Sequence, residues 1–185
     1  MNELSRLFGP FNLKIVELLI DKDYSVRELA KNINCSPAKI TQFVKLFKKA
    51  NFVEIKKDQN KKIITLRKSN PFIRQIISLI FVYKIINSKA FIELKKNSKS
   101  IGLYGSAAEG NVDKQSDIDL WVLCSEKKSV FDEGKIRRQL SKELGREVSL
   151  RFLTPSNVEL LKKNDKIFFS ELENKSKILF GEGIE

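Results

Sequence analysis

The residues best suited to chemistry lie within LYGSAAEGNVDKQSDIDLWVL, residues 103–123. An apolar run ends at Gly105 and Ser106. Ten residues later Asp117 and Asp119 stand one residue apart at the head of a second apolar run. If that run is a strand, alternation puts both carboxylates on one face and Ile118 and Leu120 on the other. Two carboxylates about 7 Å apart along a strand repel one another and resist burial. A divalent cation between them relieves both costs. The chain has no histidine, and its two cysteines, Cys35 and Cys124, lack metal-ligand spacing. The expected ion is therefore a hard one held by oxygen, Mg²⁺ or Mn²⁺. On the other side, Gly105 lets a backbone approach closely, and Ser106 offers its N–H and hydroxyl to phosphate oxygens. If SAAE opens a short helix, its amides add to this. A triphosphate on one side and a divalent ion on the other is the equipment of phosphoryl or nucleotidyl transfer. The absence of histidine also excludes Ser-His-Asp and Cys-His devices and most zinc sites.

Gly-Ser, ten residues and Asp-x-Asp together resemble the signature of the DNA polymerase beta superfamily of nucleotidyltransferases. Residues 98–183 are similar to the minimal nucleotidyltransferases of archaea and bacteria. After the motif come a helix over 129–144, a strand in REVSLRFL, a helix in PSNVELLKKND and a closing run, KSKILFGEG. The resemblance implies a mixed sheet with helices on one face, a nucleoside triphosphate, and Mg²⁺. It implies Asp117 and Asp119 as metal ligands and catalytic carboxylates, and Gly105 and Ser106 as nucleotide-binding residues. Catalytic members of the family usually carry a third carboxylate on a neighbouring strand, here within EVSLRF (147–152). Ser149 lines up with that position. Glu147, Ser149 and Arg151 share one face by alternation, which leaves Glu147 as the third catalytic candidate. Arg151 on that face would compete with metal or bind phosphate. Many members also carry an arginine just after Gly-Ser, where this chain has Ala107, Ala108 and Glu109. No GxxxxGK competes as a phosphate-binding motif.

These residues need a scaffold, and 185 residues suffice for one large domain or two small ones. The formal charge is +12, which suggests a polyanionic partner. It is unevenly spread: residues 1–70 hold 15 basic and 7 acidic side chains. There NLKIVELLI (12–20) is apolar at helical spacing, and DKDYS follows as a polar turn. Ser25 and Glu28 form a capping-box signature for a helix over 26–33. Ser36 and Pro37 open a third helix to about Ala50. FVEIKK and KKIITLRK then flank Asp58-Gln59-Asn60 as a hairpin. This order resembles the winged helix-turn-helix of prokaryotic transcription regulators over 11–68. In the third helix Ile40, Phe43, Val44 and Phe47 form one apolar stripe. Lys39, Thr41, Gln42, Lys45, Lys48 and Lys49 fall on other faces, the layout of a helix that reads a major groove. Lys61 and Lys62 on the wing suit phosphate contacts to double-stranded DNA.

The expected class is thus α+β: a DNA-binding winged helix-turn-helix domain over 1–70, a linking helix over 71–97, and a nucleotidyltransferase-like domain over 98–185. The linking helix is apolar nearly all round, so it packs between domains or against a second copy in a homodimer. The greasiest segment, IISLIFVY, is too short for a membrane span. The N-terminus lacks an apolar signal core, and the cysteines read as reduced, buried packing residues of a cytoplasmic protein. Three readings of function follow. The first is Mg²⁺-dependent transfer of a nucleotidyl group to a protein or small-molecule acceptor. The second is a transcription regulator whose catalytically weak nucleotidyltransferase fold serves as nucleotide sensor or scaffold. The third is an antitoxin-like partner of a small helical toxin.

Overall fold

The computed structural model describes residues 7–58, 61–125 and 130–184. The chain divides into two compact units, Met1–Ile77 and Ser78–Glu185.

In the first unit, α1 (Pro10–Asp21) starts with proline at its first turn and buries Ile15, Val16, Leu19 and Ile20. A two-residue strand, β1 (Tyr24–Ser25), leads into α2 (Val26–Ile33). The Ser25 N–H donates to Glu28 Oε2 at 2.8 Å, and the Glu28 N–H donates to Ser25 Oγ at 3.3 Å. This reciprocal cap holds the Glu28 carboxyl below its usual range, first through the Ser25 backbone bond. The helix stops at Asn34, whose φ of 56° is left-handed. Ser36 caps α3 (Pro37–Lys49), which buries the expected stripe of Ile40, Phe43, Val44 and Phe47. The hairpin β2 (Val53–Asp58) and β3 (Lys61–Leu66) pairs from Val53↔Leu66 to Asp58↔Lys61, with Gln59 and Asn60 outside the described residues. This is the winged helix-turn-helix expected. One element differs: the stretch read as a polar turn supplies β1, which adds a third strand through Tyr24↔Ile64 and Ser25↔Ile63.

The single linking helix over 71–97 is instead two helices, α4 (Pro71–Ile86) and α5 (Lys89–Lys95). Ser88 is the cause. Its hydroxyl accepts from the Phe91 N–H at 3.2 Å, starting α5, and donates to the Ile85 carbonyl at 2.9 Å. No single helix among the described residues is long and apolar enough to cross a membrane.

The second unit is built on a four-stranded mixed sheet of order β6-β5-β4-β7. Its strands are β4 (Ser100–Tyr104), β5 (Ile118–Leu123), β6 (Val148–Leu153) and β7 (Lys177–Phe180). β4 runs antiparallel to β5 and β7, whereas β6 is parallel to β5. A parallel neighbour demands a crossover, and α7 (Val130–Leu144) supplies it. Between β4 and β5 sits the short α6 (Gly105–Glu109). After β6 come α8 (Pro155–Asn164) and α9 (Lys166–Lys175). Trp121 and Leu123 pack with Val158 of α8 and Leu172 of α9. The alternate residues Ile118, Leu120 and Val122 are buried as well. The α+β class expected from the sequence holds, and β5 is buried along both of its faces. Gly102 is obligatory beside Trp121, because a Cβ there would collide with the indole. Cys124 is buried as expected, but Cys35 is only half-buried, at the α2–α3 turn with Sγ 3.6 Å from the Ser36 carbonyl.

Candidate functional site

Strand register decides what faces what. Tyr104 pairs with Asp119 across the antiparallel ladder, and Asp119 pairs with Ser149 across the parallel one. Side chains directly opposite share a face, so Tyr104, Asp119 and Ser149 form one row. Asp117 precedes β5 and is exposed. The neighbouring Ile118 N–H donates to the Glu147 carbonyl at 3.0 Å, which sets Glu147 beside Asp117 rather than beside Asp119. Arg151 lies one pair beyond Ser149, opposite Trp121.

The turn after β4 brings Gly105 against this row, with Ser106 next to it in α6. Gly105 has φ +66°, and a Cβ there would stand 2.7 Å from Asp119 Oδ2. Glycine is needed both for the left-handed turn and for the carboxylate's room. The helix that follows closes at Gly110, with φ +69°. From α4, the buried Ser78 hydroxyl donates to the Ala108 carbonyl at 2.8 Å, pinning α6. The loop that delivers Asp117 is also held. Asp113 Oδ1 accepts from the Gln115 N–H at 2.8 Å and the Ser116 hydroxyl at 2.9 Å. Arg146 Nη1 donates to the carbonyls of Asp113 at 2.7 Å and Ser116 at 2.8 Å. Asp113 is therefore spent on the loop.

Electrostatics follow from this packing. Burial pushes the Asp119 carboxyl above its usual range, the charge of Asp117 pushes further, and Arg151 opposes both. The Tyr104 phenol is raised by burial and by Asp119, again opposed by the charge of Arg151. Among the described residues no three acidic, cysteine or histidine side chains cluster as a metal cage. Two carboxylates beside a hydroxyl and a glycine cradle fit a single hard cation that completes its shell with water and ligand oxygens.

Three residues of this neighbourhood escaped the sequence reading: Tyr104, Arg146 and Phe168. The Tyr104 and Phe168 rings meet edge-on at 6.0 Å, and the Arg151 guanidinium lies 4.5 Å from the Phe168 ring centre. A hollow of about 1010 Å³ in this unit lies elsewhere. It is lined by Lys89, Lys99, Cys124, Asp132 and Glu143 at the other end of β5. It mixes both signs of charge and contains none of the motif residues, so the site is placed by its carboxylates and not by its volume.

In the first unit, Lys39, Thr41, Gln42, Lys45, Lys48 and Lys49 are all exposed on α3, as are Lys61 and Lys62 on the wing. Lys39 and Thr41 are partly engaged within the unit. Lys39 Nζ sits 4.1 Å from the Phe11 ring centre, and the Thr41 hydroxyl donates to the Pro37 carbonyl at 2.9 Å.

Gly105→Ala offers a local check. It should cost about 1–2 kcal/mol from the left-handed backbone alone, roughly 2–8 °C of melting temperature in a chain this size. It should also erase any divalent-ion shift by displacing Asp119. Gly145→Ala has the same kind of backbone, φ +70°, with open space around it. That variant should show the stability loss and keep the ion response. Thermal scans with and without Mg²⁺ separate the two effects.

Comparison with known proteins now bears on this geometry. Residues 86–182 match the family described as polymerase beta, nucleotidyltransferase. No curated protein matches the chain. Among solved structures, it is similar to a toxin–antitoxin with AMP-PNP at 22% identity, over 52% of this chain and 74% of that chain, with TM-score 0.40. It is similar to an MntA-HpeT toxin–antitoxin mutant at 21% identity, over 55% and 73%, with TM-score 0.43. It is also similar to HlyU from Vibrio cholerae at 24% identity, over 34% and 68%, with TM-score 0.32.

Proposed function

The chain belongs to the polymerase beta nucleotidyltransferase family, and on that premise we propose that its second unit binds a nucleoside triphosphate with Mg²⁺ and transfers the nucleotidyl group slowly to a hydroxyl of a protein or small-molecule acceptor, breaking the α–β phosphoanhydride bond and releasing pyrophosphate. The observation that carries this reading is the meeting of the Gly105–Ser106 turn with Asp119, close enough that a methyl group at 105 would touch the carboxylate. Asp117 and Asp119 would hold the ion. When bound, Mg²⁺ would neutralise phosphate charge and orient the α-phosphorus for in-line attack. Ser106 would donate its hydroxyl and N–H to phosphate oxygens. Tyr104 and the Phe168 ring would close the inner side of the site to water.

Slowness follows from Ser149. A serine hydroxyl opposite Asp119 hydrogen-bonds but does not take a proton from an acceptor near neutral pH. Glu147 is exposed and sits beside Asp117, a pair away from the row. General-base help is typically worth ~10²–10⁴ in rate. Incubating the protein with each labelled nucleoside triphosphate and Mg²⁺ tests the reading. Slow labelling of an acceptor, lost on chelation, supports it, and hydrolysis or labelling that ignores Mg²⁺ counts against it.

The first unit, in the same proposal, binds duplex DNA, with α3 toward the major groove and the wing on the phosphates. What supports this is the exposed polar and basic face opposite a fully buried stripe. Lys45→Ala should weaken binding at every sequence or at one, according to whether it meets phosphate or base. Removing Lys61 and Lys62 together should flatten the slope of log affinity against log salt by about 1.8. Absence of binding to genomic fragments at low salt would make the module a protein-contact domain.

A further inference from the structure

We infer that Arg151 is a phosphate-binding residue of this site, its guanidinium taking non-bridging oxygens of the triphosphate on the face that carries Asp117 and Asp119. The inference rests on the nucleotide reading above and adds to it a residue for which the motif has no place.

Arg151 shares its face with Ser149 by alternation, and Ser149 is paired with Asp119. Arg151 is exposed on β6. Its guanidinium lies 4.5 Å from the Phe168 ring centre, and that ring meets the ring of Tyr104, on β4, edge-on at 6.0 Å. Tyr104 is paired with Asp119, so the guanidinium stands on the face that carries Asp119. Among the described residues Arg151 makes no salt bridge. A guanidinium resting against an aromatic ring and making no salt bridge is preorganised for a two-point contact with two non-bridging oxygens of a phosphate.

Charge balance points the same way. Two carboxylates cancel one divalent ion, so the triphosphate's own charge needs a further cation. The residues just after Gly-Ser are Ala107, Ala108 and Glu109, none of which supplies it. Arg151 is the arginine that the strand register places on this face.

The test titrates the full chain and its Arg151→Gln and Arg151→Lys variants calorimetrically in Mg²⁺. The probes are inorganic triphosphate, a nonhydrolysable ATP analogue, and adenosine. Arg151→Gln should lose about tenfold to a hundredfold in affinity for both phosphate probes, with adenosine binding unchanged. Arg151→Lys should recover part of the loss. Equal binding of inorganic triphosphate by parent and Arg151→Gln would overturn the inference while leaving the nucleotide reading intact. Equal losses for adenosine and triphosphate would overturn it in favour of a packing role. Failure of the parent to bind either phosphate probe would overturn both.

Discussion

Asp119→Ala should abolish divalent-dependent nucleotide binding, a loss of at least a hundredfold, and with it all transfer. Asp119 is the half-buried member of the pair, set by two ladders at once, between Tyr104 and Ser149. Nothing else in the row can replace its oxygens, since its neighbours are a phenol and a hydroxyl. The same residue makes the metal-free protein pay for its site. Its carboxyl is raised by burial and by Asp117, so the folded state holds the proton more tightly than the unfolded chain does. The sign follows directly. Below the ordinary carboxylate range both states are protonated and there is no cost. As pH rises through the raised value, stability of the metal-free protein falls, and at neutral pH the cost is fully present. Mg²⁺ reverses it by mass action. Asp119→Asn should therefore raise the metal-free melting temperature by a few degrees at pH 7 and flatten its pH dependence on the acid side. It should also remove the rise that Mg²⁺ gives the parent. Thermal scans across pH, with Mg²⁺ and with chelator, read all three outcomes. A metal response that survives in Asp119→Ala would mean that the cation binds elsewhere.

Ser149→Asp should raise the rate of transfer by ~10²–10⁴, the usual worth of a general base. The register puts residue 149 directly opposite Asp119, about 4.8 Å away across neighbouring strands. A carboxylate there completes a three-oxygen-donor arrangement and gives the acceptor proton somewhere to go. It also adds a third negative charge to a face that already resists two, so the variant should melt lower without Mg²⁺ and respond to Mg²⁺ more strongly. Glu147→Gln should be nearly silent, because Glu147 is exposed and sits one pair from the row. Single-turnover labelling of parent and both variants decides the matter. A parent that already transfers rapidly, and stops in Glu147→Gln, would show that Glu147 is the working base.

Much of this was legible in the chain because it depends on local periodicity and on caps. The α3 stripe, the Ser25–Glu28 cap and the Ser36–Pro37 start are short-range signals, and each stands where expected. Alternation along β5 and β6 likewise made Ser149 the residue to match with Asp119, since a one-residue slip would have turned Val148 and Leu150 outward. What stayed hidden is long-range or too short to have a period. β1 is two residues, recognisable only once Ile64 is beside it. α9 follows α8 with only Asp165 between, and its adjacent Phe168 and Phe169 give no clean helical stripe. Phe168 was consequently missed, and with it the shelf that positions Arg151. Arg146 clamps two carbonyls about thirty residues upstream, a contact no spacing rule reports. The break at Ser88 was masked by apolar residues on either side of it, because a capping serine inside a greasy run reads as tolerated rather than as a start.

The most direct test of the central claim is a calorimetric titration of the parent chain with a nonhydrolysable nucleoside triphosphate, in Mg²⁺ and in chelator. The account predicts saturable one-to-one binding in Mg²⁺, at least a hundredfold weaker binding in chelator, and no difference between the two conditions for Asp119→Ala. Binding of equal strength with and without the divalent ion, or no binding in either, would contradict it.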